Sequence, residues 1–135
     1  IPSIADDTAL EVDFLNGDPG IYTARYAGEN ATYDDNINKL LNAMTNLSFS
    51  ERTARFKTII TYVDGNNDFS VEGCLEGNIL TEKQGTSGFG YDPVFFVQDK
   101  NMSLAEMSLT EKNQISHRAI AINKFKDEIK QLLNA

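Results

Sequence analysis

Two stretches rich in β-branched and aromatic residues, Ala54 to Val63 and Phe69 to Leu75, are joined by Asp64-Gly-Asn-Asn-Asp68. Such residues suit a pleated, half-buried surface, and a connector of Asp, Gly and Asn between two such runs makes an antiparallel hairpin. No other stretch limits the fold as much. Strands that follow one another through a short turn do not belong to an alternating βαβ series, whose parallel strands need long helical crossovers.

The flanking elements agree with that restriction. Leu10 to Leu15 reads as a short strand closed by Asn16-Gly17, a strong turn signal. Asp18-Pro19-Gly20 is a second turn, after which Ile21 to Tyr26 is expected to run on as extended chain. Ile37, Leu40, Leu41, Met44 and Leu47 make one apolar stripe at helical spacing, with Thr32 or Asp34 as N-cap. Gly77 to Thr81 continues the sheet, and Val94-Phe-Phe-Val97 reads as a buried strand with Pro93 as its first residue. Ser108-Leu-Thr-Glu111 matches a capping box and starts a short helix. A last helix opens near Ser116, with Ile122, Phe125, Ile129, Leu132 and Leu133 on its apolar face. The expected fold is one α/β domain over residues 1–135, a mixed, largely antiparallel twisted sheet flanked by helices.

Charge and composition narrow the partners. The 135 residues carry 20 Asp+Glu against 12 Lys+Arg, a formal net charge of −8. That argues against duplex nucleic acid, because phosphate neutralisation needs a clustered positive surface. It does not exclude a small anionic ligand, whose charge a metal ion can screen. No apolar run reaches membrane-spanning length and no signal-peptide pattern is present. Cys74 is the single cysteine, which rules out an intrachain disulfide and suits a reducing cytoplasm. The chain begins at Ile1 rather than Met, so it is expected to be the remainder of a longer protein.

Four polar clusters interrupt this pattern. In Asp6-Asp7-Thr8, adjacent carboxylates on extended chain point in opposite directions, so at most one faces a given site. One of them can hold Mg²⁺, which takes one or two carboxylates plus water and phosphates; a solvated turn or an N-cap is the plainer alternative. Tyr22-Thr-Ala-Arg25-Tyr26 offers an arginine between tyrosines, suited to phosphate or to simple aromatic packing at a sheet edge. Ser87-Gly-Phe-Gly-Tyr-Asp-Pro93 lacks the Gly-Lys-Ser/Thr of a phosphate-binding loop and enters a strand, which argues against a P-loop or a dinucleotide fold. Lys112 and Ser116-His117-Arg118 gather three donors at a helix start. An arginine there opposes the helix dipole unless an anion sits nearby.

Taken together, four segments resemble the Ham1-like inosine/xanthosine triphosphate pyrophosphatases. They are Ile4-Ala-Asp-Asp-Thr-Ala-Leu-Glu-Val-Asp13, Asn16-Gly-Asp-Pro-Gly-Ile-Tyr-Thr-Ala-Arg-Tyr-Ala-Gly28, Gly88-Phe-Gly-Tyr-Asp-Pro93 and Ile115-Ser-His-Arg118. They fall in order along essentially the whole chain. The resemblance implies Mg²⁺-dependent hydrolysis of non-canonical purine nucleoside triphosphates (ITP, dITP, XTP) to monophosphate and pyrophosphate by a cytoplasmic homodimer. It places Asp7 at the catalytic, metal-associated acid, with Thr8 as the substrate contact after it. Phe89, Gly90, Tyr91 and Asp92 match the base-binding segment, and Lys112, His117 and Arg118 the remaining nucleotide contacts.

Two departures from the family pattern stand out. The motif usually reads Asp-Asp-Ser-Gly, and here Thr8-Ala9 replaces its second half, keeping the hydroxyl but not the glycine. The family's opening strand, its Thr/Ser-Gly-Asn…Lys phosphate-binding segment and a following helix are not matched ahead of Ile1. Residues 1–135 alone are therefore expected to hydrolyse ITP poorly. Two other functions fit the same residues: a nucleotide-binding fragment impaired in catalysis, and a Maf-like pyrophosphatase of other nucleotides.

Overall fold

In the computed structural model, which describes residues 2–134, the hairpin forms as its residues require. β2 (Thr53–Val63) pairs antiparallel with β3 (Asp68–Ile79) along its whole length. Asp64 organises the turn, its Oδ1 accepting the Asn66 and Asn67 N–H groups at 3.0 and 2.7 Å. β1 (Ser3–Val12) joins the outer side of β2, while β4 (Phe95–Val97) and β5 (Met102–Ser103) follow β3. The order is β1-β2-β3-β4-β5, and every pairing is antiparallel.

Side chains alternate across a strand, so the register sorts residues by face. Asp6, Thr8, Leu10 and Val12 share one face with Ile60, Thr58, Phe56 and Ala54. That face carries the core, in which Leu10, Val12, Ala54 and Phe56 meet Ile37 and Leu40 of α1 (Tyr33–Ala43) and the buried Ile79, Tyr91 and Phe95. Each such side chain contributes about 1.5–3 kcal/mol by leaving water. α3 (His117–Asn134) lies on the same face, and its first turns sit directly on Gly73, where a Cβ would collide with the His117 carbonyl oxygen and the Ala121 nitrogen. The opposite face is ionic. Arg55 pairs with Glu11, Asp13 and Glu76, and Lys57 with Glu11 and Glu72.

Local signals set the helix ends. Thr32 caps α1 in a reciprocal capping box with Asp35, and Ser108 does the same with Glu111 at the start of α2 (Leu109–Ile115). Arg52 is a buried cation with no ion-pair partner among the described residues. Its guanidinium donates to the carbonyls of Met44, Ile79 and Leu80 at 2.7, 2.6 and 2.8 Å, tying the end of α1 to β3.

Several expectations are corrected. The first strand runs Ser3–Val12 rather than Leu10 to Leu15, with Asp13–Leu15 forming a 3-10 helix, so Asp6 and Asp7 lie on extended chain in mid-strand and the turn alternative falls. Gly20–Arg25 is a 3-10 helix, not extended chain: Thr23 Oγ1 accepts the Leu10 N–H at 2.9 Å, and Asn36 binds the backbone of Ala24 and Ala27. Pro93 and Val94 belong to a 3-10 turn (Asp92–Val94), which leaves the strand only Phe95 to Val97. On α3, Ile122 and Leu133 are exposed, and the buried positions are His117 and Ala121. No helix among the described residues is long and apolar enough to cross a membrane.

Candidate functional site

A cavity of about 700 Å³ opens on the core face, between the start of α3, α2 and the β1–β2 pair. That volume is in the range of sites for small organic ligands. Thr8, Phe89, Gly90, Tyr91, Asp92, Lys112, His117 and Arg118 all line it, as do Thr23 and Ala24, so all four polar clusters reach it.

The loop from Gly88 to Asp92 is built around one carboxylate. Asp92 is almost wholly buried, and its Oδ2 accepts the Phe89 N–H at 3.0 Å and the Lys112 ammonium at 2.5 Å. Gly88, at φ 80°, passes so close to that oxygen that a Cβ would strike it, a conformation and an approach that glycine alone accommodates easily. The consequence is a Phe89 ring left 64% exposed, with the Lys112 Nζ 4.5 Å from its centroid. Tyr91 turns the other way, donating its buried hydroxyl to the Thr23 carbonyl at 2.7 Å. Burial, and then the neighbouring Tyr26, raise the pKa of that hydroxyl above its ordinary value. Asp92 and Tyr91 thus hold the loop, while Phe89 and Gly90 face the cavity.

The α2–α3 junction supplies the donors. Ser116 Oγ accepts the Ala119 N–H at 3.1 Å, the N-cap its residue type suggests. The next residue, His117, is buried with its ring stacked on Phe56 at 4.7 Å and 17°. Its Nδ1 is enclosed and has no hydrogen-bond partner among the described residues. Burial first, then the Lys112 and Arg118 charges, push its pKa from 6.5 down to about 4. His117 is therefore an uncharged ring at neutral pH. Arg118 forms an ion pair with Asp6 across to β1, which provides the anion that an arginine at a helix start calls for.

The structure does not bring Asp7 into this cavity. Thr8 lines it and bonds Thr58 Oγ1 at 3.0 Å, and Asp6 shares its face. Asp7 stands beside Ile59 on the opposite face, exposed, and has no ion-pair partner among the described residues. Both carboxylates lie on the half of β1 that is exposed. Among the described residues no group of three or more His, Cys, Asp or Glu converges as a metal cage. Mg²⁺ needs no such cage, since one or two carboxylates with phosphates and water complete its shell; the Asp6–Asp7 pair has donors of that kind. The remaining cluster stays structural at Arg25, which packs over the Tyr22 ring at 5.7 Å.

Asn36 and Phe56 also line the cavity and were not legible as site residues. Asn36 carried a faint signal, a polar side chain four residues before Leu40 on the buried face of α1. There it donates to the Ala24 carbonyl at 3.1 Å and accepts the Ala27 N–H at 2.8 Å, fixing the segment that forms one cavity wall.

An antiparallel sheet, helices on its core face and a cavity beside the exposed Phe89 ring define an α/β domain with an open site. The chain belongs to the Ham1 family, whose sequence pattern matches residues 1–128. A protein of Caldanaerobacter subterraneus named dITP/XTP pyrophosphatase is 53% identical over 126 residues, covering 93% of this chain and 63% of its own length. A protein of the same name from Idiomarina loihiensis is 47% identical over 132 residues, covering 96% and 65%. The chain thus spans less than two thirds of the length of these relatives. The solved Staphylococcus aureus Ham1 protein superposes with a TM-score of 0.93 at 43% identity, over 96% of this chain and 67% of that one. A Mycobacterium abscessus nucleoside-triphosphatase (dITP/XTP pyrophosphatase) gives 0.83 at 32% identity, over 93% and 64%.

Proposed function

We propose that this chain carries the purine-base end of a pyrophosphatase site that hydrolyses ITP, dITP and XTP to the monophosphate and pyrophosphate. The observation that carries the reading is the convergence of Phe89, Lys112, His117 and Arg118 on one cavity, in a chain of this family. The Phe89 ring is the stacking platform, worth about 1–3 kcal/mol for a stacked base. Lys112 and Arg118 are donors only. A 6-oxo purine presents an acceptor to them, whereas the 6-amino group of adenine presents hydrogens and leaves the donors unpaired. Each buried donor left unpaired costs about 1–3 kcal/mol, enough for steep selection.

Hydrolysis needs a water aimed at phosphorus and neutralisation of the leaving pyrophosphate. The water oxygen bonds to a phosphorus of the α–β linkage, the bridging P–O bond breaks with its electrons on the departing phosphate, and the water proton passes to a carboxylate. The resemblance gives that role to Asp7, which stands on the sheet face opposite the base cavity, while Asp6, on the cavity side, is engaged by Arg118. Asp7 would also hold Mg²⁺, which supplies charge neutralisation at the phosphate oxygens when bound. Homodimerisation and a cytoplasmic setting belong to the same proposal and rest on the resemblance alone.

The test is pyrophosphate release with and without Mg²⁺ from a panel of ITP, XTP, dITP, ATP, dTTP and UTP, with nucleotide affinity measured alongside. Preference for the 6-oxo purines is expected, and Arg118→Ala should raise KM for ITP more than it lowers thermal stability. Tight ITP binding without pyrophosphate release instead favours a nucleotide-binding module, and preference for dTTP or UTP a Maf-like enzyme.

A further inference from the structure

Phe56 lies outside the motif segments, yet it is a core side chain that lines the cavity and stacks on the donor His117. It sits in mid-β2, paired with Leu10 on one side and Leu75 on the other, and is 5% exposed. Behind it the fully buried Phe95 ring lies at 4.6 Å, and in front the His117 ring lies nearly parallel at 4.7 Å. The backbone of His117 is fixed independently, because its carbonyl oxygen rests where a Gly73 side chain would be. With backbone and ring both held, the imidazole has little freedom to turn.

That restraint has a chemical result. Nδ1 is enclosed with no partner, so a proton there would be a buried, unpaired N–H, which folded proteins avoid. The proton of the neutral ring belongs on Nε2, the nitrogen not enclosed. We propose that Phe56 is a positioning residue: its ring, backed by Phe95, holds His117 as an uncharged donor that offers Nε2–H, and no acceptor, to the ligand in the cavity. The inference rests on the reading of that cavity as a purine-base pocket. A ring restricted to donation favours a carbonyl edge over an amino edge, adding His117 to the donors that read a 6-oxo purine.

Burial, Lys112 on α2 and Arg118 on α3 all press the ring toward neutrality. The two cations are themselves paired with Asp92 and Asp6, and the strand residues facing the ring, Phe56, Thr58 and Gly73, carry no charge. Glu72 and Lys57 project from the other face of the sheet.

His117 is the only histidine, so imidazole ¹H–¹⁵N correlation spectra of the full chain report on it alone. In the parent protein we expect one tautomer, protonated at Nε2, at neutral pH, with titration well below that of free imidazole and a shift of the Nε2 signal on adding ITP. Phe56→Leu should mix the tautomers, move the titration towards the free value and weaken ITP binding about tenfold. Phe56→Tyr keeps the ring and should restore all three readouts. A parent protein protonated at Nδ1, or a Phe56→Leu protein with unchanged tautomer and titration, overturns the proposal. So does a Phe56→Tyr protein as defective as Phe56→Leu. If Phe56→Leu fails to fold, the parent tautomer and the Phe56→Tyr spectra decide. A parent that shows the expected tautomer but binds no ITP overturns the base-pocket reading and leaves the ring restraint standing.

Discussion

Removing the Asp92 carboxylate tests whether a buried charge builds the cavity. In Asp92→Ala the Phe89 N–H and the Lys112 ammonium lose their shared acceptor. A hydrogen bond to a charged acceptor contributes about 1.5–3 kcal/mol, and breaking a buried pair by deleting one partner costs about 3–5 kcal/mol. Lys112 keeps 14% side-chain exposure, so its ammonium can turn to water and the lower end applies. We expect a loss of about 3 kcal/mol, or about 12 °C in Tm for a chain of this length. Asp92→Asn retains an acceptor for the Phe89 N–H and should lose about half as much. A double-mutant cycle isolates the pair: Asp92→Ala with Lys112→Met should be more stable than Asp92→Ala alone, because no buried cation is then stranded. The assays are thermal denaturation and ITP affinity, which should fall together as the Phe89 loop loosens. An Asp92→Ala protein within about 1 °C of the parent, still binding ITP normally, would refute the reasoning.

Three further outcomes separate platform, core and charge. Phe89→Ala should leave Tm nearly unchanged, because the ring is 64% exposed, while ITP affinity falls by the stacking energy of about 1–3 kcal/mol, measured by calorimetry. Arg52→Met removes three carbonyl contacts made by a buried guanidinium and should cost about 3 kcal/mol in denaturant unfolding, since three buried acceptors lose their partners at about 1 kcal/mol or more each. Because His117 has its pKa lowered from 6.5 to about 4, the unfolded chain binds its proton first. Stability is then full above pH 6.5 and declines as pH falls towards 4, by at most about 3 kcal/mol. Replacing His117 with Gln should flatten that slope, whereas the Asp13 carboxyl, lowered by its hydrogen bond from Thr53 and by Arg55, acts only at more acidic pH.

The parts of this molecule that were legible are those whose cause is local. The hairpin announces itself through two long β-rich runs and an Asp-Gly-Asn turn, and the Ser108–Glu111 capping box and the Thr32 cap each sit within four residues of sequence. The 3-10 helix from Gly20 to Arg25 was misread as extended because Ile21, Tyr22 and Tyr26 favour strands. Its shape is decided by distant partners, the Leu10 N–H on Thr23 and the Asn36 amide on Ala24 and Ala27. β1 extends further than its pattern shows because pairing with β2, not burial, holds residues 3 to 8. In the site, motif resemblance found Phe89, Lys112, His117 and Arg118, all of which line the cavity. It could not reveal that Asp92 is spent on holding Phe89 and Lys112, nor that Phe56 stacks on His117. Those roles depend on side-chain meetings across long sequence separations. The motif singled out Asp7 as the catalytic acid, yet strand alternation turns Asp6, not Asp7, to the cavity side and Arg118, and leaves Asp7 on the other face.

The most direct measurement is a crystal structure of the protein soaked with ITP. Density for the hypoxanthine ring is expected stacked on Phe89, with O6 within hydrogen-bonding distance of donors from Lys112, His117 or Arg118. A base bound elsewhere, or stacked in the cavity with O6 turned away from all three donors, would contradict that expectation.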